Sequence, residues 1–197
     1  MKKVLLVASG KSALEAHEYD YKKNDWIVVA VNNGWHAIPE LWDYWVRSSD
    51  FKGKVPTKNE IAPHQQVVSR YGPSLTRYGG QKACGYSITL NAGYWVLDNL
   101  KPDVIGFLGA DMNYTPSEDG STHFYGVGWD VKNNVGGIPD PDRMVNMYGK
   151  ENKDSYLHDI YMRLVEHANK QQCEVFNLSS EQNTRLPYTR KSPFEFE

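Results

Sequence analysis

The chain lacks most of the features that would commit it to one kind of partner. Among 197 residues, 22 Lys and Arg stand against 24 Asp and Glu, so no basic excess advertises a nucleic-acid or membrane surface. That leaves a nucleic-acid substrate unsupported rather than excluded. Long apolar runs are missing too, and nothing approaches the ~20 residues that span a bilayer. At the N-terminus, Lys2 and Lys3 precede a run that stops too soon for a signal-peptide core and reads as a first buried strand. The only two cysteines, Cys84 and Cys173, are far apart and without metal-ligand spacing. That use of cysteine predicts inert thiols in a reducing, cytoplasmic setting. No internal repeat or linker divides the chain, so one domain over residues 1–197 is expected. What is plentiful is aromatic: six Trp and thirteen Tyr, residues that build cores and also stack on sugars and bases.

The apolar runs are short and separated by turn signals. Val4–Val7, Trp26–Val31 and Leu41–Val46 predict strands, the second rich in the β-branched residues of a buried, mostly parallel sheet. Residues 51–85 are punctuated by Pro56, Pro63, Pro73, Gly72, Gly79 and Gly80, which predicts an irregular insertion with one or two short strands near Val67, lidding a site. From Ser87 the period turns helical, with Ile88, Ala92, Trp95 and Val96 on one face and Asn91, Tyr94 and Asp98 on another. Val104–Leu108 follows as a strand. Residues 115–153, rich in Gly, Pro, Asn and Asp from Trp129 onward, predict a mobile loop. Asp154–Gln172 is the clearest amphipathic helix, with His158 and His167 on its polar side, and Cys173–Leu178 is a last strand. Strands alternating with helices imply an α/β, Rossmann-like sheet with helices on both faces.

The stretch around which a site can be built is Val104–Tyr125. An apolar strand ends in Gly109-Ala110-Asp111, and a polar loop then delivers His123, Phe124 and Tyr125. A carboxylate at a strand's C-terminal end lies where open α/β sheets bind ligands. The first strand closes on Ser9-Gly10-Lys11-Ser12, with Ser12 and Glu15 at capping-box spacing. This is not a Walker motif, because the Gly required five residues before Gly10 is Leu5. The turn either faces a phosphate at a helix N-terminus or makes a tight connection. Asn32-Asn33-Gly34 likewise reads as base or ribose recognition or as a plain turn, and Ser87 as a cap or a ligand contact. The third strand closes on Arg47-Ser48-Ser49-Asp50. Trp35, Trp42 and Trp45 either stack on a sugar or base or fill the core, and core packing is expected for at least two. Asp111 is expected chiefly to hold its turn.

These motifs together resemble the bacterial sialyltransferases that modify lipooligosaccharide, glycosyltransferase family 42. The carriers are Ser12-Ala13-Leu14 after a glycine turn, Asn32-Asn33, Ser87, Gly109-Ala110-Asp111-Met112-Asn113-Tyr114, Thr122-His123-Phe124-Tyr125-Gly126 and Leu178-Ser179-Ser180. Maf-type flagellin glycosyltransferases and small phage-encoded proteins carry a similar strand end followed by Thr-His. The family's first turn reads Gly-x-Gly-Pro-Ser-Leu, where this chain has Ser9-Gly10-Lys11-Ser12-Ala13-Leu14. A closer Gly-Pro-Ser-Leu at Gly72–Leu75 follows no convincing strand and reads as coincidence. The resemblance implies a GT-A-like fold and a metal-independent transferase with no cofactor, taking a CMP-sugar or other nucleotide-sugar as donor and an unidentified hydroxyl acceptor on a glycan, protein or modified base. It gives His123 the role of general base and Tyr114 that of phosphate partner. The expected nucleotide pocket is Gly10, Lys11, Ser12, Asn32, Asn33, Ser48, Ser87, Gly109, Asp111 and Tyr125. Two alternatives stand beside it. One is a non-catalytic nucleotide or metabolite binder of phage type, and the other a pterin pyrophosphokinase-like enzyme with Mg²⁺ on Asp50 and Asp111.

Overall fold

The computed structural model describes residues 1–113, 115–128 and 153–196. The expected loop over 115–153 therefore lies mostly outside the described residues. Six strands form one sheet: β1 (Lys3–Val7), β2 (Trp26–Val31), β3 (Tyr44–Val46), β4 (Gln66–Val68), β5 (Val104–Leu108) and β6 (Glu174–Asn177). Their order is β4-β3-β2-β1-β5-β6, and every pairing is parallel. The architecture is thus α/β and Rossmann-like. The chain walks outward from β1 to β4, then crosses back to add β5 on the other side of β1. That reversal puts the topological switch point between β1 and β5. Val7 pairs with Ala30 on one side and Leu108 on the other, so the three central strands end level and their following turns share one edge.

The two faces of the sheet are covered differently. Val4, Leu6, Val29, Val31, Ile105 and Phe107 face α1 (Gly72–Arg77), α2 (Gln81–Cys84), α3 (Ile88–Asn99) and α4 (Lys153–Asn169). Leu5, Val7, Val28, Ala30 and Leu108 face a layer made of 3-10 turns and aromatic rings. The turns are Lys11–His17, Asn32–His36 and Pro193–Phe196. Tyr19, Tyr21, Trp26 and Phe196 meet edge to face there at 4.8–5.5 Å, the arrangement that ring quadrupoles favour. Each large side chain so buried contributes roughly 1.5–3 kcal/mol. The 3-10 turn in the first connection has seven residues, too few for an α-helix to gain much from cooperativity. It closes on i→i+3 bonds such as Ala13 N–H to Gly10 O (3.1 Å).

Several expectations need correcting. The short strand expected near Val67 is present as β4 and extends the sheet, but α1 and α2 were not expected; they pack on α3 and α4, so this part of the expected insertion builds the fold. The Gly72–Leu75 sequence does follow a strand, and Ser74 is buried, donating to Asp98 Oδ2 on α3 (2.7 Å). β3 starts at Tyr44, three residues later than the apolar run suggests. On α3, Asn91 and Tyr94 are buried despite lying on the expected polar face, because α4 and α2 cover that side. His167 is wedged between the rings of Tyr78 and Tyr94 at 5.1 and 5.8 Å, and burial lowers its pKa. His158 is exposed, as expected. Trp35, Trp42 and Trp45 are all core residues. Burial raises the Cys84 thiol to about 11 and the Cys173 thiol to about 12, which keeps both unreactive. No helix among the described residues is long and apolar enough to cross a membrane.

Candidate functional site

At the switch point β1 and β5 are fastened by their own side chains. Gly10 donates its N–H to Gly109 O (2.7 Å). Gly109 N–H reaches Ser12 Oγ (2.7 Å), Ser12 N–H reaches Asp111 Oδ2 (3.0 Å), and the Ser12 hydroxyl donates to Asp111 Oδ1. Asp111 is 3% exposed, and a carboxylate can be so placed only if its oxygens find donors. Ser179, nearby, further favours the charged carboxylate. The Asp111 backbone carbonyl accepts from Arg185 N–H (2.9 Å) and Thr184 Oγ1 (3.1 Å), which draws the segment after β6 into the same knot. Both glycines are forced. A Cβ on Gly10 would stand 2.5 Å from Asp111 Oδ2, and Gly109 has φ +67° with Ala8 O 2.6 Å from where its Cβ would be.

The serine and glutamate of the expected capping box do other work. Ser12 holds Asp111, and Glu15 accepts Ser180 N–H at 2.8 Å. Gly10 is the residue before the helix, with no side-chain cap bond. Burial, the largest influence, raises the Asp111 pKa despite its bonds from Ser12. Burial raises Glu15 as well, with Asp111 adding repulsion. A phosphate approaching this turn would meet a Ser12 amide already bound to a carboxylate.

The opposite bank is the His123 turn. Thr122 and His123 donate their N–H groups to Gly126 O (3.2 and 2.9 Å), closing a tight loop, and Phe124 N–H reaches Ser9 O at 3.4 Å. Phe124 packs into the aromatic layer. His123 is thereby held, half buried, alongside the turn that ends β1. Its ring lies 5.2 Å from that of Tyr125, inclined by 32°, and Tyr125 is 40% exposed. Lys11, half buried on the same turn, points its ammonium at Thr115 O (3.4 Å) and Ser117 Oγ.

The other expected residues scatter along the edge. Asn32 has φ +47°, a left-handed conformation that asparagine tolerates. Its Oδ1 accepts Ser48 N–H (3.0 Å) and its carbonyl accepts Trp45 Nε1–H (2.8 Å), so Asn32 and Ser48 together tie β2 to β3. Gly34 lies against the ends of β1, its missing Cβ 2.2 Å from Val7 O. Asn33 packs against Gly53. Ser87 stands at the N-cap position of α3 without a side-chain cap bond, its hydroxyl 3.5 Å from Tyr161 Oη. The structure brings Gly10, Ser12, Gly109 and Asp111 into one knot, with Lys11 and His123 on its rim. It puts Asn32, Asn33 and Ser48 at the neighbouring strand ends and Ser87 on the helical face. Tyr114 lies outside the described residues.

Thr122, Ser179 and Thr184 were given no individual role by the sequence, although the first two sit within motifs noted above. Ser179 and Thr184 bond backbone groups, and Thr122 bonds the ring of its neighbour His123 and Gly128 N–H, contacts that no local spacing reveals. Among the described residues no group of three or more His, Cys, Asp or Glu is arranged to hold a metal. Asp111 is occupied by Ser12, and Asp50 is exposed after β3. An Asp-x-Asp spacing does occur, at Asp140 and Asp142, outside the described residues. No protein-family model, curated protein or solved structure matches the chain. The glycosyltransferase resemblance therefore stands on its motif residues alone.

Proposed function

We propose that this protein binds a nucleotide-activated sugar, a CMP-sugar in first place, at the β1–β5 switch point and transfers the sugar to a hydroxyl acceptor. In that step the bond from the anomeric carbon to the phosphate oxygen breaks and a bond to the acceptor oxygen forms. CMP departs, and the acceptor's proton goes to His123, the general base. An imidazole titrates near neutral pH, which suits it to that task. The observation that carries the proposal is the bond from Phe124 N–H to Ser9 O, which holds His123 beside the β1 turn at the place where open α/β sheets take their ligands. Because Asp111 already occupies the Ser12 amide, the donor phosphate is assigned to the Lys11 side of the turn.

Calorimetric titration with CMP, UDP and their sugars tests the binding, and a transfer assay with CMP-sugars tests the chemistry. Binding of CMP in preference to UDP is expected, with His123→Ala abolishing transfer while sparing affinity. Binding of no nucleotide would sink the proposal. Excess chelator should leave transfer unchanged. Loss of activity on chelation would move attention to Asp140 and Asp142 and to a metal-dependent mechanism.

One observation favours a non-catalytic binder of the same ligand. The Ser12–Asp111 knot satisfies the turn's polar groups internally, so the pocket keeps its shape without chemistry at that bank. Saturable CMP-sugar binding with no turnover, unchanged in His123→Ala, would establish that version.

A further inference from the structure

The hydroxyl of Thr122 is 3.0 Å from His123 Nδ1 and accepts the backbone N–H of Gly128 at 3.1 Å. Thr122 is 2% exposed, so its hydroxyl is out of reach of bulk water. A threonine hydroxyl has one proton to give and two lone pairs. Gly128 takes one lone pair, and among the described residues Nδ1 is the only acceptor in reach of the hydroxyl proton. The alternative, Nδ1–H donating to the second lone pair, would leave a buried O–H without an acceptor, at a cost of about 1–3 kcal/mol.

We infer that Thr122 is the positioning residue of His123: its buried hydroxyl donates to Nδ1, fixes the ring plane and keeps the proton of the neutral imidazole on Nε2. Gly128 is part of the device, since its N–H holds the hydroxyl in the orientation that aims the proton at the ring. The inference gains its meaning from the reading of His123 as the acid–base group of the proposed site, but it does not need that reading to be measured. For base action at Nε2, the ring must carry its proton on Nδ1 instead. The Thr122 hydroxyl permits this by turning its proton away and accepting Nδ1–H through its second lone pair. The base-competent tautomer is then the minor state that the bound donor must favour.

Nitrogen-15 NMR of the histidine side chains in the full chain, near neutral pH and without ligand, reads the tautomer directly. The expected result is a bare, hydrogen-bonded Nδ1 and a protonated Nε2 for His123. Thr122→Val should shift the Nδ1 resonance toward that of an unbonded nitrogen, and Thr122→Ser should restore it. A protonated Nδ1 in the free wild-type protein, or a Thr122→Val spectrum identical to wild type, would overturn the inference. Should Thr122→Val not fold, the wild-type tautomer and the serine variant still decide it. In the transfer assay Thr122→Val should lower kcat at least tenfold with KM for the donor changed less than threefold, and Thr122→Ser should recover most of it. Absence of nucleotide binding or transfer would remove the proposed function while leaving the tautomer result standing, so the two failures are distinguishable.

Discussion

The two sides of the edge beyond β1 and β5 are built on opposite principles. On one, Gly10, Ser12, Gly109 and Asp111 satisfy one another and are locked by the chain after β6. On the other, a short turn reaches across to Ser9 through a single backbone bond and presents His123 and Tyr125 at the surface. A buried carboxylate held by the hydroxyl and amide of Ser12 is a fastening, since nothing can approach it without breaking bonds that folding made. The half-buried imidazole of His123, tied to Thr122 on a narrow turn, is fastened by fewer of the bonds that join the strands. The difference separates stability from function within one small region, and mutations should expose it.

The largest expected effect comes from breaking the fastened bank. Asp111→Ala leaves the Ser12 amide and hydroxyl without their acceptor and should cost about 2–4 kcal/mol, read from the urea midpoint. His123→Ala, which leaves the buried Thr122 hydroxyl without its acceptor, should move the same midpoint by less, about 1–2 kcal/mol. Equal losses in the two variants would erase the contrast. Next is Gly10→Ala, whose Cβ would press within 2.5 Å of Asp111 Oδ2. Overpacking of this kind costs about 1–3 kcal/mol, and the variant should also lose nucleotide affinity because the turn must shift.

A smaller effect is the dependence on pH. Asp111 and Glu15 have folded-state pKa values raised by burial above their ordinary values of 3.8 and 4.5. The folded protein therefore holds these protons more tightly than the unfolded chain. The stability they contribute is fully present below the ordinary values and is lost as pH rises through the raised ones. Asp98, whose carboxylate is held below its usual range with Arg77 and Ser74 as hydrogen-bond partners, works in the opposite sense. Comparing urea midpoints across acid to neutral pH, Asp111→Asn should flatten the decline relative to wild type; an unchanged slope would mean that Asp111 does not titrate with folding. Smallest in stability is Lys11→Ala, expected within about 0.5 kcal/mol because its exposed ammonium bonds neutral oxygens at Thr115 and Ser117. Its effect belongs to binding, where CMP affinity should fall several-fold.

The sheet was legible in the sequence where strands are buried on both faces. Trp26–Val31 and Val104–Leu108 are unbroken apolar runs and match their strands residue for residue. β4 was foreseen as a short strand near Val67, but the helices after it were hidden, because Gly72-Pro73 looks like a break although proline is well suited to a helix's first turn. On α3, periodicity misled because a helix covered on several sides buries Tyr94 and Asn91 along with its apolar stripe. The candidate site was half legible. Strand ends and glycine turns identify the edge, and Asp111 was expected to hold its turn. That its partner would be Ser12, 99 residues away, follows only from the register that sets β1 beside β5. The hold of Thr122 on its neighbour's ring was equally unreadable, since the side chains of adjacent residues meet only when the backbone turns as tightly as it does between His123 and Gly126.

The central claim, a nucleotide phosphate held between the β1 turn and the imidazole bank, is tested most directly by a crystal structure of the protein soaked with CMP. Electron density for the phosphate against the Ser9–Lys11 turn, with the His123 ring beside it and the Ser12–Asp111 bonds intact, is the predicted result. A nucleotide bound elsewhere on the molecule, or no density at a concentration that saturates binding in solution, would contradict it.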